Sequence, residues 1–220
     1  MMKEWELQHI LSEFMDNLKT LLSEYVKEES PLVETPQGEE KEILTKRVLL
    51  ELASHEGIVK EAYKDSKGIW TWGIGVTSAS GHKVFPRYVD NPQPLGRVIE
   101  IYKWLLETKY LPDVLQAFEG HSLNEAQIAA ALSFHYNTGG IKKASWVRSF
   151  KKGDILRARS EFMNWSTPKE IIPRREKERD LFFDGRWSNK GTATVYERVK
   201  KPSYVPDWGS AKRVDISKEF

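Results

Sequence analysis

The sequence contains no cysteine, which excludes disulfide frameworks, thiolate metal sites and cysteine nucleophiles. It also lacks a long apolar run, and the longest, near residues 128–132, is far below the ~18 residues that a membrane span requires. The first six residues are partly acidic and have no apolar stretch, so we expect no cleavable signal peptide. The five histidines show no spacing typical of metal ligands, so we expect neither a metal nor another cofactor.

Charge is distributed unevenly along the 220 residues. Residues 1–40 contain three Lys against ten Asp and Glu, a net charge of −7, which leaves +9 for the remainder of a chain whose total is +2. A basic body favours an anionic partner, and the absence of helix-turn-helix or zinc-finger patterns argues against nucleic acid.

The acidic arm has helical periodicity. Apolar residues recur every three or four positions from Leu7 to Tyr25, which predicts an amphipathic helix, and a Pro- and Gly-containing linker follows up to residue 40. An apolar stripe must be buried. We expect it to pack on the basic body of its own chain; pairing with a second copy or docking on another protein are the alternatives.

The body is predicted to be α+β and mainly helical. Two short extended runs between residues 62 and 76 flank a Ser66–Gly68 turn and predict one small early β-hairpin. Helical patterns cover 42–54, 97–107, 122–136, 143–151, 154–164 and 173–183. We expect Gly57 to cap the first helix, and Ser122 with Glu125 to form a capping box.

Tryptophan is abundant, with eight residues, and five of them fall within predicted helices or strands. Burial in the core is the more common role of such residues, so we expect core positions rather than sugar stacking for Trp70, Trp72, Trp104, Trp146 and Trp165.

Two carboxylates and a hydroxyl stand out near the predicted hairpin. Glu56 follows the first helix, Asp65 lies at the turn nine residues later, and Thr71 lies on the returning strand. Glycoside hydrolysis requires a protonated carboxylic acid beside the leaving oxygen and a second carboxylate on the other side of the sugar. Glu56 is flanked by apolar residues and Asp65 by polar ones, which suits the two roles.

The run EGIVKEAYKDSKGIWTWGIG, from Glu56 to Gly75, resembles the active-site segment of the phage-type lysozymes, glycoside hydrolase family 24. That family has a Glu, an Asp and a Thr at this spacing. The segment Phe134–Gly139, and Trp165 followed by the Arg-rich run 173–176, resemble later parts of the family pattern. One position departs, since Val76 stands where the family usually has His. The resemblance covers about residues 42–187.

The resemblance implies a lysozyme-like fold and an endolysin, an N-acetylmuramidase that hydrolyses the β-1,4 bond between N-acetylmuramic acid and N-acetylglucosamine in peptidoglycan with inversion. By matching position, Glu56 is the general acid, and Asp65 and Thr71 position and activate the water. Tyr63, Asn137 and Arg175 line the site, with Arg175 beside Glu56. Inversion requires about 6.5–9.5 Å between the two carboxyl groups.

These expectations extend to organisation and partners. We predict an acidic helix and linker over residues 1–40, a catalytic domain over 41–187 and a C-terminal tail over 188–220. The resemblance implies a monomer that stays in the host cytoplasm until a holin opens the membrane, and then acts on the cell wall in the periplasm. Two alternatives stay open: a lytic transglycosylase that cuts the same bond without water, and a non-catalytic wall-binding or virion structural module.

Overall fold

The first helix, α1 (Lys46–Ser54), begins at Thr45, whose hydroxyl oxygen accepts a hydrogen bond from the backbone N–H of Val48 at 3.3 Å. Its apolar face, which includes Leu49 and Leu52, is buried. This computed structural model describes residues 42–220. The amphipathic helix, the linker and the docking predicted for residues 1–40 lie outside the described residues.

A hairpin follows α1, as the sequence predicts. Strand β1 (Gly57–Lys64) pairs antiparallel with β2 (Trp70–Gly73), and β2 pairs with the short β3 (Val76–Thr77). Tyr63 lies opposite Thr71 in this register.

The rest of the body is helical. The helices are α2 (Leu95–Leu105), which continues as one π-helical turn (Leu106–Tyr110), α3 (Leu111–Ala117), α4 (Glu125–Thr138), α5 (Ser145–Lys151), α6 (Ile155–Phe162) and α7 (Ile172–Asp184). The prediction of an α+β, mainly helical fold with a small early sheet is therefore confirmed.

Helix α4 is the central element of the core. Its buried positions carry alanines, which allow the backbones of neighbouring helices to come close, and α7 packs against it. An aromatic cluster around the fully buried Trp146 fills the space beyond, with Phe134, Phe162 and Phe182 against the indole. Of the five tryptophans expected in the core, Trp72 is also fully buried. The other three, Trp70, Trp104 and Trp165, are partly buried and pack against the core.

The C-terminal residues extend the early sheet. Strand β4 (Thr192–Tyr196) pairs parallel with β1, and β7 (Ala211–Asp215) pairs antiparallel with β4. The strand order is β3-β2-β1-β4-β7, and β5 (Val199–Lys200) and β6 (Val205–Pro206) form a separate pair. The sheet thus continues past residue 187, where the sequence predicts the catalytic domain to end.

Two predicted helix caps are wrong. His55 ends α1 in an ordinary helical conformation, and Gly57 already belongs to β1. Helix α4 has a capping box formed by Asn124 and Gln127 rather than by Ser122 and Glu125. The carboxylate of Glu125 instead accepts a hydrogen bond from Thr45 at 2.6 Å, which ties the start of α4 to the start of α1.

Between residues 42 and 220, no helix combines the length and the apolar composition that a membrane crossing needs. In the same part of the chain, no three His, Asp or Glu side chains are grouped so that they could hold a metal ion.

Candidate active site

Glu56 lies in the short turn between α1 and β1, at the end of a buried helix and the start of a sheet strand. Its side chain is 23% exposed, and one carboxylate oxygen, Oε1, accepts a hydrogen bond from the guanidinium of Arg174 at 2.6 Å. A glutamate at this junction is fixed in position by two rigid elements and is still open to solvent. This combination suits a group that must reach a substrate.

Arg174 is held by a network that leaves it little freedom. Its guanidinium donates to Glu178 at 2.8 Å and to the backbone oxygen and hydroxyl of Ser133 at 3.1 and 3.2 Å. Burial by itself lowers the pKa of Arg174, but the carboxylates of Glu56 and Glu178 outweigh burial and raise it above its usual value. Arg174 is therefore a fixed cation between two carboxylates, the buried one of Glu178 and the partly exposed one of Glu56.

The structure corrects the position predicted for Arg175. Its side chain is fully buried, and it donates to Glu178, to the backbone oxygen of Trp165 at 3.2 Å and to Asn137 at 2.6 Å. Neighbouring residues on a helix point about 100° apart, so only one of two consecutive arginines can face Glu56. Because Arg175 is turned into the core, Arg174 takes the place beside Glu56.

Asn137 lies away from the contacts of Glu56 as well. It is exposed near the end of α4, and its amide oxygen accepts a hydrogen bond from Arg175. Together with Trp165, Thr167 and Ile171 it lines a surface depression of about 410 Å³. Asn137 and Arg175 are thus brought together with each other, at one end of a surface depression.

Asp65 and Thr71 are held by the hairpin turn. One oxygen of Asp65, Oδ1, accepts hydrogen bonds from the backbone N–H groups of Lys67 and Ile69 at 2.8 and 2.9 Å. The hydroxyl of Thr71 donates to the backbone oxygen of Ile69 at 3.1 Å. The turn therefore fixes both side chains. Within residues 42–220, the second Asp65 oxygen and the lone pairs of the Thr71 hydroxyl have no hydrogen-bond donor and can accept further hydrogen bonds.

Tyr63 connects these groups. It lies opposite Thr71 across the hairpin, and its phenol is close enough to both carboxylates to respond to their charges. Burial, followed by the charges of Asp65 and Glu56, raises the pKa of Tyr63 to about 12. Tyr63 and Thr71 thus lie opposite each other across the hairpin, and the charges of Asp65 and Glu56 act on the same phenol.

Three further tyrosines surround Glu56: Tyr102, Tyr110 and Tyr136. Burial and, in each case, the charge of Glu56 raise the pKa values of all three phenols. The hydroxyl of Tyr136 donates to the backbone oxygen of Ile74, and the ring of Tyr102 packs edge-on against Tyr136. The three phenols are therefore near enough to Glu56 to respond to its charge, and Tyr102 and Tyr136 pack against each other.

Sequence reasoning missed several of these residues. Tyr102 and Tyr110 lie outside the motif that carries Glu56, and nothing in their local pattern marks them. The Arg174–Glu178 contact has a signal, because a pair four residues apart faces the same side of a helix. At the position where the family usually has His, Val76 is fully buried, and His82 instead stacks near Trp72 and forms a hydrogen bond with Tyr88.

Comparisons with known proteins give relatives in sequence and in fold. An endolysin of Bacillus phage B103 is 24% identical over 159 residues, which cover 68% of this chain, and the match spans 57% of the length of that relative.

Among solved structures, the fold is similar to an endolysin from Escherichia coli O157:H7 phage FAHEc1, with a TM-score of 0.59, 20% identity, and coverage of 66% of this chain and 96% of that one. It is also similar to a mutant of P22 lysozyme, with a TM-score of 0.53, 25% identity, and coverage of 63% and 96%. The muramidase domain of SpmX from Asticaccaulis excentricus gives a TM-score of 0.51 at 18% identity, with coverage of 63% and 96%. The pattern of the family described as Phage lysozyme matches residues 53–178, more than half of the chain. The chain belongs to the phage lysozyme family.

Proposed function

We propose that this protein is an endolysin with N-acetylmuramidase activity, which hydrolyses the β-1,4 bond between N-acetylmuramic acid and N-acetylglucosamine in bacterial peptidoglycan. The observation that carries the proposal is Glu56, held by Arg174 directly after α1, followed by a hairpin whose turn fixes Asp65 and Thr71, in a chain of the phage lysozyme family. Family membership alone gives the fold, so the reaction is argued from these side chains.

In this proposal Glu56 is the general acid that protonates the leaving oxygen. Arg174 orients its carboxyl group through Oε1, and the second oxygen is left free to face the glycosidic bond. The surrounding tyrosine rings limit the access of water on one side, which strengthens the interaction with a bound substrate.

Asp65 and Thr71 act together on the attacking water. As the water attacks the anomeric carbon, Asp65 takes up one of its protons as general base, while the Thr71 hydroxyl accepts a hydrogen bond from the other O–H, which stays on the new sugar hydroxyl. Their positions are fixed by the backbone of the 66–69 turn, so little ordering is needed when the water binds. We propose an inverting reaction, with about 6.5–9.5 Å between the carboxyl groups of Glu56 and Asp65.

The biological setting is part of the same proposal. The relative from Bacillus phage B103 is named an endolysin. By analogy we propose that this protein stays in the host cytoplasm as a monomer until a holin opens the membrane, and then acts on the wall in the periplasm.

A zymogram on purified peptidoglycan tests the activity, with the wild type compared with Glu56→Gln and with the exposed control Glu100→Gln. A clearing band for the wild type and the control, with none for Glu56→Gln, is the expected result. A band of equal strength for Glu56→Gln contradicts the assignment of the acid, and no band for the wild type supports the non-catalytic alternative. Mass spectrometry of the released muropeptides separates the rival reaction, since anhydro-muramic ends indicate a lytic transglycosylase and reducing ends indicate hydrolysis.

A further inference from the structure

Trp208, in the C-terminal segment, is the most exposed tryptophan of the described residues. It follows β6, in a single helical turn (Trp208–Ser210), and it is 63% exposed, whereas Trp72 and Trp146 are fully buried. The family match ends at residue 178, so this residue lies outside the part of the chain that the family pattern covers.

The backbone around Trp208 is rigidly held. The carboxylate of Asp207 caps the turn by accepting a hydrogen bond from Gly209 N–H at 3.3 Å, and it accepts two more from Arg198 at 3.1 and 3.2 Å. The hydroxyl of Ser210 donates to the backbone oxygen of Asp207 at 2.7 Å. The backbone that carries the indole is therefore fixed, which reduces the conformational entropy that the turn loses when a ligand binds.

Polar groups line a depression beside the turn that carries Trp208, since Gly209 and Ser210 of that turn border it. Its volume is about 440 Å³, and it is lined by Glu197, Arg198, Gly209, Ser210, Ala211 and Lys212. These side chains offer both donors and acceptors of hydrogen bonds. An aromatic face beside mixed donors and acceptors matches a saccharide, whose ring has an apolar face and whose edge carries hydroxyl and amide groups.

Tyr196 joins this surface to the candidate active site. The edge of its ring packs against Trp208, with 5.1 Å between the ring centroids. On its other side the ring lies against Gly57, where an added Cβ atom would come within 2.8 Å of it. Tyr196 therefore contacts both Trp208 and Gly57, the residue that directly follows Glu56 in the chain.

We propose that Trp208 and the adjacent depression form a second saccharide-binding site, which holds the glycan strand of peptidoglycan away from the site of cleavage. The identity of the polymer rests on the proposed function, whereas the saccharide chemistry rests on the indole and its polar surroundings. Lys212 adds positive charge that suits the carboxylates carried by peptidoglycan, whereas the charge of Arg198 is paired with Asp207.

The test measures binding apart from hydrolysis. Full-length protein carrying Glu56→Gln is incubated with purified peptidoglycan sacculi, and the bound fraction is measured by sedimentation with and without Trp208→Ala. We expect Trp208→Ala to weaken binding about 10-fold, in the range of a buried aromatic anchor, and Trp208→Phe to retain most of it. Leu156→Ala is the matched control, because Leu156 is 85% exposed on α6 and lies outside this surface.

A second variant and a kinetic readout keep the result interpretable. Lys212→Ala changes only an exposed side chain at the edge of the depression and is expected to weaken binding by a smaller factor. If Trp208→Ala lowers the melting temperature, the binding of Lys212→Ala to sacculi is the measurement that tests the proposal. In the active enzyme, Trp208→Ala is expected to raise KM for sacculi with little change in kcat.

Unchanged binding in both Trp208→Ala and Lys212→Ala overturns the proposal, as does an equal loss in Leu156→Ala. A dimer that dissociates on Trp208→Ala, seen by light scattering, also overturns it, because the indole then contacts a second copy. Failure of the proposed function is seen separately, as an absence of hydrolysis by the wild type.

Discussion

Glu51 and Glu56 lie five residues apart at the end of the same helix, and their surroundings are opposite. Glu51 is fully buried and accepts hydrogen bonds from Ser188, through both its backbone N–H and its hydroxyl, and from the backbone N–H of Asn189 at 2.8 Å. His55 lies 3.4 Å from the same carboxylate. These contacts attach the C-terminal segment to α1.

Glu56, by contrast, has hydrogen-bond acceptor sites that its described contacts do not fill. Its described contacts comprise one charged donor, Arg174, on one oxygen, and its side chain is 23% exposed. A carboxylate has about four sites that can accept hydrogen bonds, so Glu51 is close to saturated and Glu56 is not. The comparison teaches that a buried acid has a structural role when donors fill all of its acceptor sites. A neighbouring acid whose acceptor sites are only partly filled is the candidate for catalysis.

The largest expected effect is on activity, from Glu56→Gln. Loss of the transferable proton should lower the rate of peptidoglycan hydrolysis by about 10²–10⁴-fold, the usual contribution of a general acid. Its melting temperature should stay close to that of the wild type, because glutamine still offers Arg174 an acceptor. Turbidity loss of sacculi and thermal unfolding measure the two quantities. A folded Glu51→Gln variant that loses as much activity per molecule would abolish the distinction between the two acids.

The next effect is on stability, from Arg175→Met. This change leaves the fully buried Glu178 without one of its two arginines, and breaking a buried pair from one side costs about 3–5 kcal/mol. Urea unfolding measures the free energy. Lys177→Met, an exposed change on the same helix, is the control and should cost less than about 0.5 kcal/mol. Equal costs for the two variants would show that Arg175 is not a structural residue.

A smaller stability loss is expected from Glu51→Gln. The amide NH₂ cannot accept hydrogen bonds, so it meets the N–H groups of Ser188 and Asn189 as donor against donor, at a cost of about 1–3 kcal/mol. The C-terminal segment should then be cleaved more readily by a protease, while the folded enzyme keeps its activity on sacculi. Glu100→Gln is the matched control. Unchanged cleavage after residue 187 would show that Glu51 does not hold this segment.

Local patterns predict much of the site and of the fold. The hairpin follows from a turn between two extended runs, and the spacing of Glu56, Asp65 and Thr71 along one helix end and one hairpin brings them near Tyr63. The ends of α4 and α7 follow equally well, because Gly139 and Gly185 adopt the left-handed conformation that stops a helix.

Long-range packing decides the rest. Arg174 and Arg175 have the same chemistry, and which one faces Glu56 depends on the rotation of α7 against α4. The partner of β1 on its second side is β4, more than 130 residues later, and no local pattern gives that parallel pairing. The role of Glu51 depends on the same distant segment, so the sequence marks it as an ordinary helix glutamate.

The smallest expected effect is the pH dependence of the contribution that Glu51 makes to the free energy of unfolding. Burial raises the pKa of Glu51, but the imidazole of His55, 3.4 Å from the carboxylate, and the hydrogen bonds from Ser188 and Asn189 outweigh burial, so the pKa lies below the usual value in the folded state. A depressed pKa means that the ionised group contributes stability above the unfolded pKa of about 4.3, and that this contribution is lost as the pH falls through the lower folded value. The difference in unfolding free energy between wild type and Glu51→Gln should therefore narrow from pH 5 to pH 3, with a slope of at most about 1.4 kcal/mol per pH unit. Urea unfolding of the wild type, Glu51→Gln and Glu100→Gln at half-unit intervals measures it. A difference that stays constant or widens on acidification contradicts a fully ionised, saturated Glu51.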